Sequence, residues 1–190
     1  MKLLEERILT DGVVLSGTTL KVDKFLNHQI DVKLITELAK EWKRLFAEEK
    51  ITKIVTIEAS GIGIACIAAL EFDVPVVFAK KMKSSNIGDD LLSAKVVSYT
   101  HGNSYNVIAS RNYINKDDRI LIIDDFLANG SALRALIKLC EAGGATVVGA
   151  GIAIEKAYQK GGDAIREKGY RVESLAKISK MNSDGTIEFC

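Results

Sequence analysis

Short, nearly continuous apolar segments alternate with amphipathic segments along most of the chain. The clearest amphipathic segment spans residues 31–49, where apolar side chains recur every three or four positions opposite a charged face. A helix of small residues is predicted at 62–71, and another amphipathic helix after Gly130. Four apolar segments have the length of strands: residues 53–58, 74–79, 119–123 and 146–154. This alternation is typical of an α/β fold whose parallel sheet is covered on both faces.

Two other regions depart from a plain doubly wound sheet. Residues 94–100 and 104–110 are rich in β-forming residues around a His-Gly-Asn sequence, which predicts a hairpin. The polar, glycine-containing stretch before it, residues 82–90, is predicted to be a mobile lid. A second hairpin is predicted near the C-terminus, from residues 171–178 and 186–189.

Polar or glycine residues follow each of the four predicted parallel strands. They are Ser60–Gly61, Lys80–Lys81, Asp124–Asp125 and Lys156. Ligands of open α/β sheets bind at the carboxyl ends of the strands. The sequence therefore predicts one binding site at that edge.

Residues 119–132 (RILIIDDFLANGSA) are the most informative segment, because they combine a strand, two acids, a glycine turn and a helix start. Backbone N–H groups at such a helix start can bind a phosphate monoester. The adjacent carboxylates of Asp124 and Asp125 can bind vicinal hydroxyls or face positive charge on a sugar. The alternative is that both acids merely mark where a buried strand reaches the surface. The whole segment favours a sugar phosphate.

The composition narrows the function classes. The 190 residues fit one domain, and 26 basic against 25 acidic side chains give a net charge of +1. Non-specific nucleic-acid binders usually carry a clear basic excess, so no nucleic-acid partner is expected. Neither a signal peptide nor a transmembrane segment is evident, which predicts a cytoplasmic protein with no membrane partner. The three cysteines show no metal spacing, and Cys66 and Cys140 are predicted to be buried.

Several segments together resemble type I phosphoribosyltransferases. Residues 119–132 resemble the motif that binds 5-phosphoribosyl 1-pyrophosphate (PRPP), residues 57–61 the pyrophosphate loop, and residues 74–81 the basic strand end. The bacterial xanthine branch is resembled by residues 20–31, 123–130 and 154–156. The resemblance implies a type I phosphoribosyltransferase fold over residues 1–190, with a mostly parallel sheet and a flexible hairpin hood. Residues 1–30 and the C-terminal tail would form a base-recognition part.

The resemblance also implies a role for each matching residue. Asp124 and Asp125 would contact the ribose hydroxyls as the catalytic carboxylates. The loop around the 5′-phosphate of PRPP would be Ala128, Asn129, Gly130, Ser131 and Ala132. The pyrophosphate and its Mg²⁺ would be held by Ser60, Gly61, Lys80 and Lys81. The purine would be contacted by Leu20, Asn27 and Lys156. Residues 82–100 would belong to the hood, and a homodimer is implied because one of the two lysines reaches the neighbouring site in related enzymes.

The implied reaction transfers the phosphoribosyl group of PRPP to N9 of xanthine, giving XMP and pyrophosphate in purine salvage. Asn129 and Ala132 depart from the family pattern, since many members have hydroxyl residues there, and backbone donors must then bind more of the phosphate. Ala128 replaces an acid that the hypoxanthine–guanine branch uses as a candidate proton acceptor. The departure favours an adenine- or xanthine-type enzyme and leaves the general base unassigned.

Other functions stay open at this point. One is a PRPP-sensing regulator built on the same fold, and another is a related enzyme that prefers guanine or hypoxanthine. A third is a dinucleotide-dependent oxidoreductase, because residues 61–66 nearly match G-x-G-x-x-G. Cys66 replaces the third glycine, however, and Lys80 and Lys81 stand near where an acid would hold the NAD ribose. The dinucleotide hypothesis is therefore disfavoured.

Overall fold

A computed structural model describes residues 1–15, 17–81, 90–97 and 104–190. The helices are α1 (Lys2–Asp11), α2 (Val32–Leu45), α3 (Ser60–Phe72), α4 (Ser131–Ala142) and α5 (Gly161–Arg166). The strands are β1 (Val13–Leu15), β2 (Thr19–Lys21), β3 (Lys53–Ile57), β4 (Val76–Ala79), β5 (Leu91–Val97), β6 (Ser104–Ser110), β7 (Arg119–Leu127), β8 (Thr146–Lys156), β9 (Val172–Met181) and β10 (Ile187–Phe189). A π-helical turn spans Asp23–Asn27.

The central sheet of the described residues has six strands in the order β10-β9-β8-β7-β3-β4. Neighbours from β9 to β4 pair in parallel, and β10 pairs antiparallel to β9. The predicted parallel sheet is thus confirmed. The predicted C-terminal hairpin is also confirmed, and it extends this sheet rather than standing apart from it.

Apolar clusters cover both faces of the sheet, as continuous apolar strands require. Ile122 and Ile123 are consecutive on β7, yet Ile123 packs with Trp42 in one cluster and Ile122 packs with Leu136 in the other. Side chains of a strand alternate between its two faces, which explains the division. The helices α2 and α3 cover the first face, and α4 with the β5–β6 hairpin covers the second.

The predicted internal hairpin is confirmed where the structure describes it. Strands β5 and β6 pair antiparallel from Leu91–Ser110 to Val97–Ser104. Leu92, Ala94 and Val96 alternate with exposed residues and are buried against the second cluster. Of the lid predicted over residues 82–90, residues 82–89 lie outside the described residues. The end of the predicted first strand, residues 98–100, and the predicted turn, residues 101–103, lie outside them as well.

Three expectations from the sequence were wrong in detail. Strand β7 continues through both acids to Leu127 and β8 continues to Lys156, because the two strands stay hydrogen-bonded in register past Asp124 and Phe126. Asp124 and Asp125 therefore lie within β7, and Lys156 is the last residue of β8. Cys66 is exposed while Cys140 is buried, because Ile64, Ala65 and Ala68 occupy the core-facing side of α3. Along the described part of the chain, none of the helices combines the length and apolar character needed to cross a bilayer.

Candidate functional site

Asp124 and Asp125 are consecutive residues near the carboxyl end of β7, and both are buried, at 5% and 8% exposure. The Asp125 backbone N–H donates to Asp124 Oδ1 at 3.0 Å. The Phe126 backbone N–H donates to Asp125 Oδ1 at 2.9 Å. Each carboxylate is thus oriented by a backbone donor while it retains free lone pairs.

Burial raises the pKa of Asp124 well above its ordinary value, and the neighbouring charge of Asp125 adds to the increase. The Lys81 ammonium acts in the opposite direction on this pKa. The buried site does not solvate the negative charge of two adjacent carboxylates as well as water would. Hydroxyl donors or developing positive charge on a ligand would relieve that imbalance.

Asn27 reaches the acid pair from the N-terminal segment. Its side-chain N–H donates to Asp125 Oδ2 at 3.2 Å, across 98 positions of sequence. The π-helical turn that ends at Asn27 is anchored by Phe25 and Leu26, both fully buried. The core therefore fixes the approach of the Asn27 amide to β7.

The segment after β7 turns into α4 through Gly130, whose φ of +79° is in the left-handed region that favours glycine. The Ser131 backbone N–H donates to Asn129 Oδ1 at 3.0 Å, so the Asn129 side chain closes the turn. The first N–H groups of a helix have no partner within the helix. Those of α4 begin directly after this turn and can bind an anion there.

The end of β3 and the end of β4 approach the acid pair. A Cβ added at Gly61, the second residue of α3, would lie 3.2 Å from Asp124 Oδ1 and 2.1 Å from Thr56 Oγ1. Only glycine therefore lets the start of α3 lie this close to Thr56 on β3, and the same position faces Asp124 on β7. The Lys81 backbone N–H donates to Glu58 Oε1 at 2.6 Å, which ties β4 to the loop after β3. Ser60 begins α3, and Lys80 is bridged to Ile108 through its backbone.

Lys156 ends β8 at the same edge of the sheet. Its ammonium donates to the Thr18 carbonyl at 3.0 Å and lies 5.7 Å from the centroid of the Phe126 ring. Burial lowers its pKa. Leu20, in contrast, is 6% exposed and packs into the first apolar cluster. The structure thus places polar groups of Asn27 and Lys156 at this edge and buries the Leu20 side chain.

The sequence did not point to some residues at this edge. Thr56 Oγ1 is buried without a hydrogen bond to any of the described residues, and it lies against Gly61. Tyr105 has a raised pKa through burial and through the charge of Asp124. Glu155 is 1% exposed and is bound by Arg166 and Ser174. An acid inside the apolar β8 segment was a visible signal for Glu155, whereas nothing in the sequence pattern pairs it with Arg166.

The residues described here contain no group of three or more His, Cys, Asp or Glu side chains that could hold a metal ion by itself. Mg²⁺ usually keeps several waters and binds through one or two carboxylates together with substrate phosphates. The adjacent acids beside Lys81 suit an ion of that kind, which would enter with a phosphorylated ligand.

A family model described as the phosphoribosyl transferase domain matches residues 21–183. The chain belongs to the phosphoribosyltransferase family. The match covers every element of the central sheet except β10, together with the acid pair and the turn into α4.

Two curated relatives cover the full chain. A xanthine phosphoribosyltransferase of Lachnoclostridium phytofermentans is 58% identical over 190 residues, covering 100% of this chain and 98% of the relative. A xanthine phosphoribosyltransferase of Bifidobacterium longum is 56% identical over 191 residues, covering 100% and 99%.

Solved structures agree with the fold. The adenine phosphoribosyltransferase of Trypanosoma brucei superposes with a TM-score of 0.77 at 17% identity, over 92% of this chain and 79% of that one. The enzyme of Giardia lamblia gives 0.76 at 20% identity, over 92% and 97%. At such identities the likeness shows the type I phosphoribosyltransferase fold alone, as predicted from the sequence.

Proposed function

We propose that this phosphoribosyltransferase transfers the 5-phosphoribosyl group of PRPP to N9 of xanthine, giving XMP and pyrophosphate. The observation that supports this most directly is the buried Asp124–Asp125 pair, which lies between the turn into α4 and the Asn27 amide. The names of the full-length relatives support xanthine as the purine. The reaction breaks the bond between C1′ and the pyrophosphate oxygen and forms the bond between C1′ and N9.

The acid pair acts on the ribose. As the C1′–oxygen bond lengthens, positive charge develops on the ribose ring. Asp124 and Asp125, held by the backbone donors of β7, accept hydrogen bonds from the ribose hydroxyls and stabilise that charge. Both tasks are best done by carboxylates that are ionised when the ribose is bound.

The loop from Ala128 to Gly130 and the first residues of α4, Ser131 and Ala132, bind the 5′-phosphate. Ala128, Gly130 and Ala132 offer only backbone groups, so N–H donors at the helix start supply most of the binding. The Ser131 hydroxyl accepts a hydrogen bond from Arg134 Nη2 at 3.4 Å, and its own proton can be donated to the phosphate.

The other end of PRPP binds where β3 and β4 end. Ser60 and Gly61 contribute backbone donors at the start of α3, and Lys80 and Lys81 contribute positive charge for the leaving pyrophosphate. These residues would hold Mg²⁺ together with the pyrophosphate, and the ion would supply further positive charge for the leaving group. The Lys81–Glu58 hydrogen bond fixes the backbone from which the Lys81 ammonium extends.

The purine lies between the N-terminal segment and β8. The Lys156 ammonium, which now donates to the Thr18 carbonyl, can donate instead to O6 of an oxo-purine. Adenine has an amino group at that position and offers no such acceptor. Asn27 completes the purine subsite in this proposal, and Leu20, whose side chain is buried in the first apolar cluster, would contribute through its backbone. Xanthine ionises readily, so the N9 proton does not require a strong protein base.

The assembly is also part of the proposal. A homodimer would allow Lys80 or Lys81 of one subunit to serve the site of its neighbour. We place the enzyme in the cytoplasm, where PRPP and free purines would meet it.

Incubation with PRPP, Mg²⁺ and xanthine tests the proposal, with XMP and pyrophosphate measured separately. We expect the two products to form in equal amounts. A protein that binds PRPP but produces neither would be a PRPP-sensing regulator instead. Binding of PRPP is measured by calorimetry in the absence of purine, so the two outcomes are separable.

A further inference from the structure

Two consecutive glycines open the short helix α5, and each faces a different structure. A Cβ added at Gly161 would lie 2.1 Å from the Ala128 carbonyl oxygen and 2.5 Å from the Gly130 nitrogen. A Cβ added at Gly162 would lie 2.0 Å from Glu155 Oε1. All three distances are shorter than a side-chain carbon tolerates. The start of helix α5 therefore packs closely against the turn into α4 on one side and against the Glu155 carboxylate on the other.

The other end of α5 is held by an ion pair. Arg166 donates two hydrogen bonds to Glu155, at 2.9 Å and 2.7 Å, in a bidentate arrangement. Arg166 also donates to the Val172 carbonyl, and Ser174 donates to Glu155 Oε2 at 2.5 Å. Glu155 is 1% exposed and Arg166 29% exposed, so water competes little for the carboxylate.

These contacts form a continuous connection. Arg166 fixes the C-terminal end of α5 to β8, and the packing of Gly161 transmits that position to the backbone from Ala128 to Gly130. Glu155 directly precedes Lys156 on β8, but consecutive side chains of a strand point to opposite faces. Glu155 contacts Arg166 and Ser174, whereas the Lys156 ammonium contacts the Thr18 carbonyl. Arg166 itself faces Glu155 and Val172 rather than the acid pair.

We infer that Arg166 is a positioning residue that sets the conformation of the 5′-phosphate loop through α5. This inference rests on the proposed function, because it assigns the 128–130 backbone to phosphate binding. Loss of the Arg166–Glu155 pair loosens α5, and the loop then presents its N–H donors in the wrong directions. The deficit falls on PRPP binding more than on the purine.

Arg166→Gln tests the inference, with Arg171→Gln as the matched control. Arg171 is also partly buried and pairs with one acid and one carbonyl, Glu173 at 2.8 Å and Leu45 O at 2.7 Å, but it packs on Phe46 away from α5. We expect Arg166→Gln to raise the KM for PRPP about 10- to 100-fold, the size of a misplacement of roughly 1 Å. The KM for xanthine changes less, Arg166→Lys restores part of the loss, and Arg171→Gln leaves both constants near wild type.

Hydrogen exchange of the backbone amides at residues 129–131 supplies a readout independent of activity. These amides should exchange faster in Arg166→Gln and at the wild-type rate in Arg171→Gln. Unchanged loop exchange together with an unchanged KM for PRPP would overturn the inference. If the wild type produced no nucleotide, the proposed function would fail, while the exchange data would still judge the link from Arg166 to the loop.

Gly161→Ala provides a second route should Arg166→Gln fail to fold. The added methyl group pushes the Ala128 carbonyl without touching the ion pair, and we expect the same rise in the KM for PRPP. A Gly161→Ala enzyme with wild-type KM for PRPP and wild-type loop exchange would contradict the inference.

Discussion

Asn27 and Asp125 are joined by a 3.2 Å hydrogen bond across 98 positions of sequence, which ties the N-terminal segment to the acid pair. The Asn27 side-chain N–H is the donor and the Asp125 carboxylate is the acceptor. The segment proposed to bind the purine and the residues proposed to bind the ribose are therefore coupled before any ligand arrives.

Asn27→Asp tests this coupling. A carboxylate at residue 27 replaces the donor with a like charge next to Asp125, so both turnover and the thermal midpoint should fall. A loss of about 1–3 kcal/mol in the free energy of unfolding is expected for a buried acceptor that loses its partner. Asn112→Asp, on the exposed turn after β6, is the control and should change neither quantity. A fully active and equally stable Asn27→Asp enzyme would show that the Asn27–Asp125 contact does not couple the N-terminal segment to the acid pair.

Asp124→Asn should lower kcat by about 100-fold, the typical effect of losing one preorganised electrostatic group. The same substitution should raise the thermal midpoint. Because the folded pKa of Asp124 is raised, folding stability declines as pH rises from the unfolded value of 3.8 up to the folded pKa, and Asn removes this decline. Asp117→Asn, at an exposed position, is the control. Higher activity of Asp124→Asn would contradict the catalytic role of Asp124. Lower stability of this variant at neutral pH would contradict the raised pKa of Asp124.

Lys156→Ala should weaken purine binding more than PRPP binding. The loss of one charge-assisted donor is worth about 1–3 kcal/mol, or roughly 5- to 150-fold in the KM for xanthine. The KM for PRPP should stay near wild type. Lys160→Ala removes an exposed ammonium from the turn before α5 and should leave the purine preference unchanged. An unchanged KM for xanthine in Lys156→Ala would show that the base-recognition assignment is wrong.

The stability of the fold should decrease in acid through Glu155. Burial alone would raise the pKa of Glu155, but hydrogen bonds from Arg166 and Ser174 outweigh it and lower this pKa below 4.5. The ion pair therefore contributes its full stability above pH 4.5, and the contribution is lost as pH falls through the folded pKa. Urea unfolding at several pH values should show a smaller acid-dependent loss for Glu155→Gln than for the wild type. Equal slopes for the two proteins would contradict the assignment.

The sequence predicted the central sheet because its strands are buried on both faces. Such strands are nearly continuous apolar segments, which are visible in the sequence alone. It also located Asp124 and Asp125, because acids at the end of an apolar strand are conspicuous. It could not show that β7 continues past them, since the hydrogen bonds to β8 decide where the strand ends. Local patterns do not encode the pairing of Glu155 with Arg166, because only the packing of α5 brings the two residues together.

The sequence pattern did not predict the N-terminal elements. Helix α1 and the β1–β2 hairpin are short, and their buried residues, such as Leu4 and Ile8, are too few to give a clear period. The Cys66 error had the opposite origin. Nearly all residues of α3 are apolar or small, so the sequence did not distinguish its buried face from its exposed face.

The most direct test of the central claim compares kcat/KM for xanthine, guanine, hypoxanthine and adenine with saturating PRPP and Mg²⁺. We expect the lowest value for adenine, because the Lys156 ammonium needs an oxygen acceptor at position 6 of the purine. We expect the highest value for xanthine, because it ionises most readily and its N9 proton does not require a strong protein base. Highest activity with adenine would contradict the account of the purine subsite. Absence of turnover with all four purines would contradict the proposed function itself.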